Sequence, residues 1–154
     1  MRVLRAGRIG AGYIAAAHAR GYAAQPDVRL PGVLSRSLKR AALSAERYGA
    51  HAVVDLDKFL RGVKVVSICT PTHADIAIPA LRAGKHVLCE KPMARTIAEA
   101  EAMVQAAQVA GVTLMSAHVS RYEVDHRQAK AVLDRGALGR LCMAWQLLCG
   151  PVLD

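Results

Sequence analysis

Two segments, Val65–Cys69 and Val112–Ala117, are apolar at nearly every successive position rather than at alternate ones. A strand buried on both faces reads this way, whereas a strand with one face in water alternates. Both are therefore expected to be central strands. Around them strand-like and helix-like stretches take turns: strand Val3–Ile9, helix Gly10–Ala24, strand Val28–Leu34, helix Leu38–Tyr48, short strand Ala52–Val54, short helix Leu56–Leu60, strand Val63–Cys69, helix Ala74–Ala83, strand His86–Cys89, helix Ile97–Ala110, strand Val112–Ala117, helix Val124–Arg135 and strand Leu141–Leu148. Gly49, Gly84, Gly111 and Gly136 follow four of the helices, where a left-handed residue closes the last turn. Alternation of this kind predicts an α/β fold, a doubly wound parallel sheet with helices on both faces. The expected strand order is 3-2-1-4-5-6, with a ligand crevice where the order reverses between the first and fourth strands.

Four positions resist that pattern. Arg5 and Arg8 fall in the first strand, where an isolated buried charge is too costly, so both are expected at the surface or paired. Pro31 lies inside the second strand and lacks a ladder N–H. Pro79 lies within the fourth helix, where it is tolerated if the helix starts late or kinks.

Composition narrows the function classes. At 154 residues the chain is one domain's worth, 53% hydrophobic but only 4% aromatic, and alanine supplies much of the apolar content. That suits close-packed helices better than a β-sandwich. No stretch of about 18 uninterrupted apolar residues is present, so no membrane span is expected. Arg2, Arg5 and Arg8, in an Ala-rich start with no acid before Asp27, have the composition of a transit peptide. The glycines of that stretch fit a nucleotide loop better. The net charge of +9 admits binding to nucleic-acid phosphates or to a phosphorylated cofactor. No basic run exceeds Lys39-Arg40 and no aromatic stacking set accompanies it, which disfavours nucleic acid. Cys69, Cys89, Cys142 and Cys149 form no CxxC pair and no zinc spacing; they read as reduced thiols of a cytoplasmic protein with no metal site.

The loop Gly10-Ala11-Gly12-Tyr13-Ile14-Ala15 is a G-x-G-x-x-A sequence opening a helix after a strand, as in the Rossmann fold. The first glycine permits the tight turn, the second lets backbone approach a pyrophosphate, and the small last residue lets helix and strand pack closely. The helix start then offers free N–H groups and the positive end of its dipole. Gly10, Gly12, Tyr13 and Ile14 are the candidate cofactor-binding residues here. The second strand ends in Ser35-Arg36-Ser37, with Lys39 and Arg40 beyond, and carries no acid for a ribose 2′-hydroxyl. Two hydroxyls and a guanidinium suit a 2′-phosphate instead. Ser35, Arg36, Ser37 and Arg40 therefore favour NADP, with NAD as the other possibility.

Two later strands end abruptly in polar residues, Thr70-Pro71-Thr72-His73 and Glu90-Lys91-Pro92. A lysine at a strand's carboxyl end, beside a glutamate that orients it, can bind or move a proton. On a bare surface the same pair is an ion pair of little worth. With the glycine loop, these turns resemble the glucose–fructose oxidoreductase/inositol dehydrogenase (Gfo/Idh/MocA-like) family, whose mark is Glu-Lys-Pro. The likeness runs from about Ile9 to Pro151.

The resemblance implies an NAD(P)-binding Rossmann domain over 1–140 and, over 141–154, the start of a second α+β domain that is otherwise absent or truncated. It implies that Lys91 is catalytic, bonding the nicotinamide ribose and the substrate's reacting oxygen, with Glu90 orienting Lys91 and Pro92 fixing the backbone. It places Thr70, Pro71, Thr72 and His73 against the nicotinamide ribose; a further histidine often found in the family is Asp75 here. His18 is similar to a family histidine, and caps or packs rather than reacts. His118, Arg121 and Tyr122 match a strand-end Arg-aromatic pair, with Arg121 flanking the cleft and His118 either a core histidine or a ligand. The family's catalytic histidine, in an Asp-x-x-x-His pattern, has no counterpart; Asp125-His126 and Asp134 do not reproduce it.

The function implied is the nicotinamide dinucleotide-binding half of an oxidoreductase that transfers hydride to or from a sugar, inositol or related polyol or keto compound. It is expected to be inactive alone, meeting substrate only when a second domain is supplied. A stand-alone, non-enzymatic NADP-binding regulatory module and a basic nucleic-acid-associated domain are the other readings. Leu141, Met143, Trp145, Leu147 and Leu148, with no second sheet to join, are expected to be disordered, folded back or used for self-association.

Overall fold

The computed structural model describes residues 3–146. They divide into two compact units, one ending at His118 and the other beginning at Val119. The first is built on β1 (Leu4–Ile9), α1 (Tyr13–Ala23), β2 (Val28–Leu34), α2 (Leu38–Glu46), β3 (His51–Val53), α3 (Leu56–Gly62), β4 (Val65–Ile68), α4 (Ala74–Arg82), β5 (His86–Cys89), α5 (Ile97–Ala110) and β6 (Leu114–Ser116). Its six strands are parallel throughout and ordered β3-β2-β1-β4-β5-β6, the doubly wound order expected from the sequence. The connections reverse between β1 and β4, which opens a crevice at the carboxyl ends of those strands.

Side chains on successive strand residues point to opposite faces. Ile9, Leu34, Val66, Ile68, Val87 and Cys89 join Phe59 and Leu60 of α3, Ala77 and Leu81 of α4, and Met103 of α5 in the larger core. Burying each such aliphatic side chain stabilises by about 1.5–3 kcal/mol. On the other face Val33 packs on Ala41 and Ala45 of α2. Gly7 and Gly32 are register partners in β1 and β2, and they leave a flat slot for Phe59. A Cβ on Gly7 would stand 2.5 Å from Phe59 Cζ. Gly49, Gly84, Gly111 and Gly136 all adopt positive φ, as their places after helices predict.

The resistant positions resolve in different ways. Arg5 is exposed. Arg8 is neither displaced nor ion-paired; it is fully buried and hydrogen-bonded to neutral oxygens. Pro31 falls where the β1–β2 register slips, Arg5 facing Arg29 but Gly7 facing Gly32. The extra residue of this bulge is where a missing N–H costs least. Pairing with β3 begins only at Gly32. Pro79 lies well inside α4, and the carbonyl it deprives of an N–H belongs to Asp75, which is exposed to water.

Two strand expectations need correction. Val112–Ala117 is not central: its regular part, Leu114–Ser116, is the last strand of the sheet, paired on β5 alone, with Met115 exposed. Length and composition distinguish a strand from a helix but not an inner strand from an edge. Leu141–Leu148 is not a strand over its described part; residues 141–146 carry no regular structure, and Leu141, Met143 and Trp145 are exposed. A strand forms only where a neighbour takes its hydrogen bonds, and none pairs with these residues. Leu147 and Leu148 lie outside the described residues. Among the described residues the second unit otherwise holds a 3-10 turn (Val119–Tyr122) and α6 (Val124–Asp134), which buries no residue.

Candidate functional site

A cavity of about 490 Å³ opens at the carboxyl ends of β1, β2 and β4. Its floor is the glycine loop. Gly10 sits at φ 112°, its N–H bonded to Leu34 O at 2.8 Å, and a Cβ there would lie 2.8 Å from Cys69 O. Only glycine fits that turn. Gly12 starts α1 in extended geometry, without a side-chain cap. A Cβ on Gly12 would meet nothing within 4 Å, so this backbone faces open space. The first turn of α1 holds no acid, and its N–H groups stay available to an anion.

One wall is the turn after β2. Ser35, Arg36, Ser37 and Arg40 all line the cavity. Ser35 Oγ accepts the Ser37 N–H, and Ser37 Oγ caps α2 by accepting the Arg40 N–H. Each hydroxyl spends a lone pair inward and keeps its own hydrogen to donate. The first turn of α2 also carries no acid. The opposite wall is the turn after β4, with Cys69, Thr70, Pro71 and Thr72. Burial, and then the charge of Glu90, push the Cys69 thiol up to about 12, so it stays neutral beside the loop.

The Glu-Lys-Pro turn is built differently from the simplest reading of its sequence. Glu90 is buried, and its carboxylate does not reach the Lys91 ammonium. One oxygen meets His18 Nε2 of α1 at 2.9 Å, and the other accepts the Lys91 backbone N–H at 3.1 Å. His18 Nδ1 lies 3.1 Å from Ser67 Oγ, which is 2.7 Å from the Tyr22 hydroxyl. Burial raises the pKa of Tyr22, and the Ser67 bond opposes that shift. A polar network thus runs from α1 through β4 to the turn after β5 and fixes the backbone that carries Lys91. Lys91 itself is exposed at the strand end and does not line the cavity.

The cavity therefore gathers Gly10, Gly12, Ser35, Arg36, Ser37, Arg40, Thr70, Pro71 and Thr72. Tyr13 and Ile14 belong to the first turn of α1, but their side chains are not on the wall, and Tyr13 is largely exposed. His73 is buried, donating from Nδ1 to Pro92 O at 2.7 Å; it ties the start of α4 to the Glu-Lys-Pro turn rather than facing the cavity. Arg121 lies exposed on the 3-10 turn of the second unit. His118 is exposed and not a core histidine. Ala11 of the glycine loop and the apolar Ile9, Leu34 and Ile76 also line the cavity. The network members had a signal: His18 and Tyr22 are four apart on one helix, and Ser67 is the polar residue of an apolar strand. Among the described residues no cluster of His, Cys, Asp and Glu has the makings of a metal site, and no helix is long and apolar enough to cross a membrane.

Residues 4–118 match the model of the oxidoreductase family with NAD-binding Rossmann fold. The chain belongs to this family. The likeness to Gfo/Idh/MocA proteins carried by the glycine loop and the Glu-Lys-Pro turn is thereby borne out. Levoglucosan dehydrogenase of Pseudarthrobacter phenanthrenivorans is 35% identical over 154 residues, spanning 92% of this chain and 40% of that enzyme. Among solved structures, GenD2 from gentamicin A biosynthesis, in complex with NAD, is similar at a TM-score of 0.84 and 31% identity over 90% of this chain and 41% of its own. KijD10, a 3-ketoreductase from Actinomadura kijaniata in complex with NADP, follows at 0.80 and 33%, over 90% of this chain and 46% of its own. The chain spans about two fifths of the length of the relatives it matches.

Proposed function

We propose that residues 1–140 are the dinucleotide-binding domain of an oxidoreductase that prefers NADP to NAD, with 141–154 beginning a second domain. The observation that carries this is the cavity wall of Ser35, Arg36, Ser37 and Arg40, which adjoins the glycine loop and holds no carboxylate. The residues fit the cofactor. Gly10, Gly12 and the first N–H groups of α1 hold the pyrophosphate, the Ser-Arg-Ser turn and Arg40 hold the 2′-phosphate, and Thr70, Pro71 and Thr72 flank the nicotinamide ribose. Once bound, NADP supplies the nicotinamide that takes or gives a hydride. Lys91 binds the substrate's reacting oxygen and moves its proton at Nζ; Glu90 and His18 set the backbone from which Lys91 projects.

The substrate class is a sugar, inositol or related polyol or keto compound, in keeping with relatives named for levoglucosan and inositol, and the setting is the cytoplasm. Residues 1–154 by themselves bind the dinucleotide without appreciable turnover, because the described residues of the first unit supply no wall opposite the cofactor to hold a substrate against it. Such positioning is worth about 7–11 kcal/mol in favourable intramolecular models. The Arg36→Asp variant tests the preference. It repels the 2′-phosphate and offers acceptors to a 2′-hydroxyl, so fluorescence titration should show NADPH binding weakened and NADH binding strengthened. An unchanged ratio of the two affinities would remove the basis for the NADP assignment.

A further inference from the structure

Arg8 is the only buried lysine or arginine among the described residues. It stands in the middle of the sheet, with Val33 of β2 on one side and Ser67 of β4 on the other. Its guanidinium lies between α1 and α2. Nη1 donates to Ala15 O at 2.7 Å, Nη2 donates to Ser44 Oγ and, at 3.4 Å, to Ser44 O, and the Tyr48 ring lies 5.8 Å away. Every one of these partners is neutral. No Asp or Glu among the described residues forms an ion pair with it. Burial lowers its pKa, but a guanidinium remains charged at any working pH. Among the described residues this buried positive charge has no paired counter-charge, in a place where an aliphatic side chain would pack at less cost.

Its location says what that charge serves. Arg8 lies two residues before Gly10, and the carbonyl it holds belongs to the first turn of the helix that the glycine loop opens. The residue after it, Ile9, lines the dinucleotide cavity and accepts at its carbonyl the N–H of Cys69 in the cavity wall at 2.8 Å. Beside Arg8, a hollow of about 310 Å³ between α1 and α2 includes Arg40, Ser44, Arg47 and Tyr48, and shares Ala11 and Arg40 with that cavity.

We propose that Arg8 is an electrostatic binding residue for the dinucleotide's phosphates, a fixed charge behind the glycine loop that is compensated only when the phosphates arrive. The inference rests on the dinucleotide reading above and adds to it a residue outside the lining of the cavity. Water does not screen a buried charge as it does a surface one, so a small displacement from the phosphates still leaves useful attraction.

The test compares the wild-type chain with Arg8→Met, Arg8→Gln and Arg8→Lys, titrated with adenosine, AMP, NAD and NADP. The neutral variants should lose affinity in proportion to ligand phosphate, with no loss for adenosine and about a five- to tenfold loss for NADP. Arg8→Lys should keep most of the affinity. Without ligand, Arg8→Met should melt no lower than the wild type, and saturating NADP should stabilise it less. Equal losses for adenosine and NADP would make Arg8 a structural residue only, and no loss for any ligand would remove it from binding altogether. If both neutral variants fail to fold, the wild type decides: exchange of the Arg8 Nε–H with water should slow on adding AMP or NADP, and an unchanged rate would overturn the proposal. A wild-type chain that binds none of the four ligands would instead defeat the dinucleotide reading on which it rests.

Discussion

Gly12 separates binding from folding at the scale of one residue. Its φ of −90° is open to any residue, and a Cβ there meets nothing of the protein. Gly12→Val should leave the melting temperature unchanged and abolish dinucleotide binding, because the branched side chain occupies the pyrophosphate's place. Loss of the fold in that variant would contradict the open space seen in front of Gly12. His18 behaves in the opposite way. Removing it leaves one buried oxygen of Glu90 without its hydrogen-bond partner, which costs about 1–3 kcal/mol. His18→Ala should therefore unfold at much lower denaturant, and His18→Gln, whose amide can donate to Glu90, should recover part of the loss. The cysteines add a pH dependence. Burial pushes Cys69 and Cys89 up to about 12, above their values in the unfolded chain. Their contribution is complete below the ordinary thiol pKa of about 8.5 and is lost as pH rises from there towards the folded value. Denaturant melts should show stability falling through that window, and alkylation at pH 8 should label exposed Cys142 before either of them.

At the scale of elements, the sequence was most legible where local chemistry decides. Strand–helix alternation, the glycine stops and the loop of Gly10 and Gly12 are short-range signals, and they appear where the chain places them. What was not legible depends on partners distant in sequence. Nothing in Val112–Ala117 distinguishes an inner strand from the outermost one, because that depends on whether another strand follows in space. Nothing near Pro31 announces the register slip that accommodates it. In the site, Ser35, Arg36, Ser37, Thr70, Pro71 and Thr72 were readable because strand ends converge on a crevice. Glu90 and His73 stand beside Lys91 and Thr72 in sequence, but their side chains turn inward to His18 and Pro92. Gly7 carries no motif in the sequence, yet β1, β2 and α3 meet on it. Gly7→Ala should destabilise by about 1–3 kcal/mol through overpacking against Phe59, and Gly32→Ala by less, since its Cβ would meet Phe59 at 3.4 Å. Equal thermal shifts in the two variants would contradict this packing.

For the whole molecule, charge and extent set the terms. Two acid-free helix starts, Arg36 and Arg40 meet at the same cavity. A spectrophotometric assay of residues 1–154 over a panel of polyols and keto-sugars should show no appreciable turnover. Fusion to the second domain of a close relative should give activity that disappears with Lys91→Ala. The apolar residues Leu141, Met143 and Trp145, exposed in the second unit, should drive concentration-dependent association, visible by sedimentation, that weakens when they are replaced by serine. On the proposed function the domain binds NADPH more tightly than NADH. Calorimetric titration of the purified chain with NADPH and NADH tests this most directly: tighter binding of NADPH, with the difference lost in Arg36→Asp, is the predicted result, and equal affinities or binding of neither would contradict it.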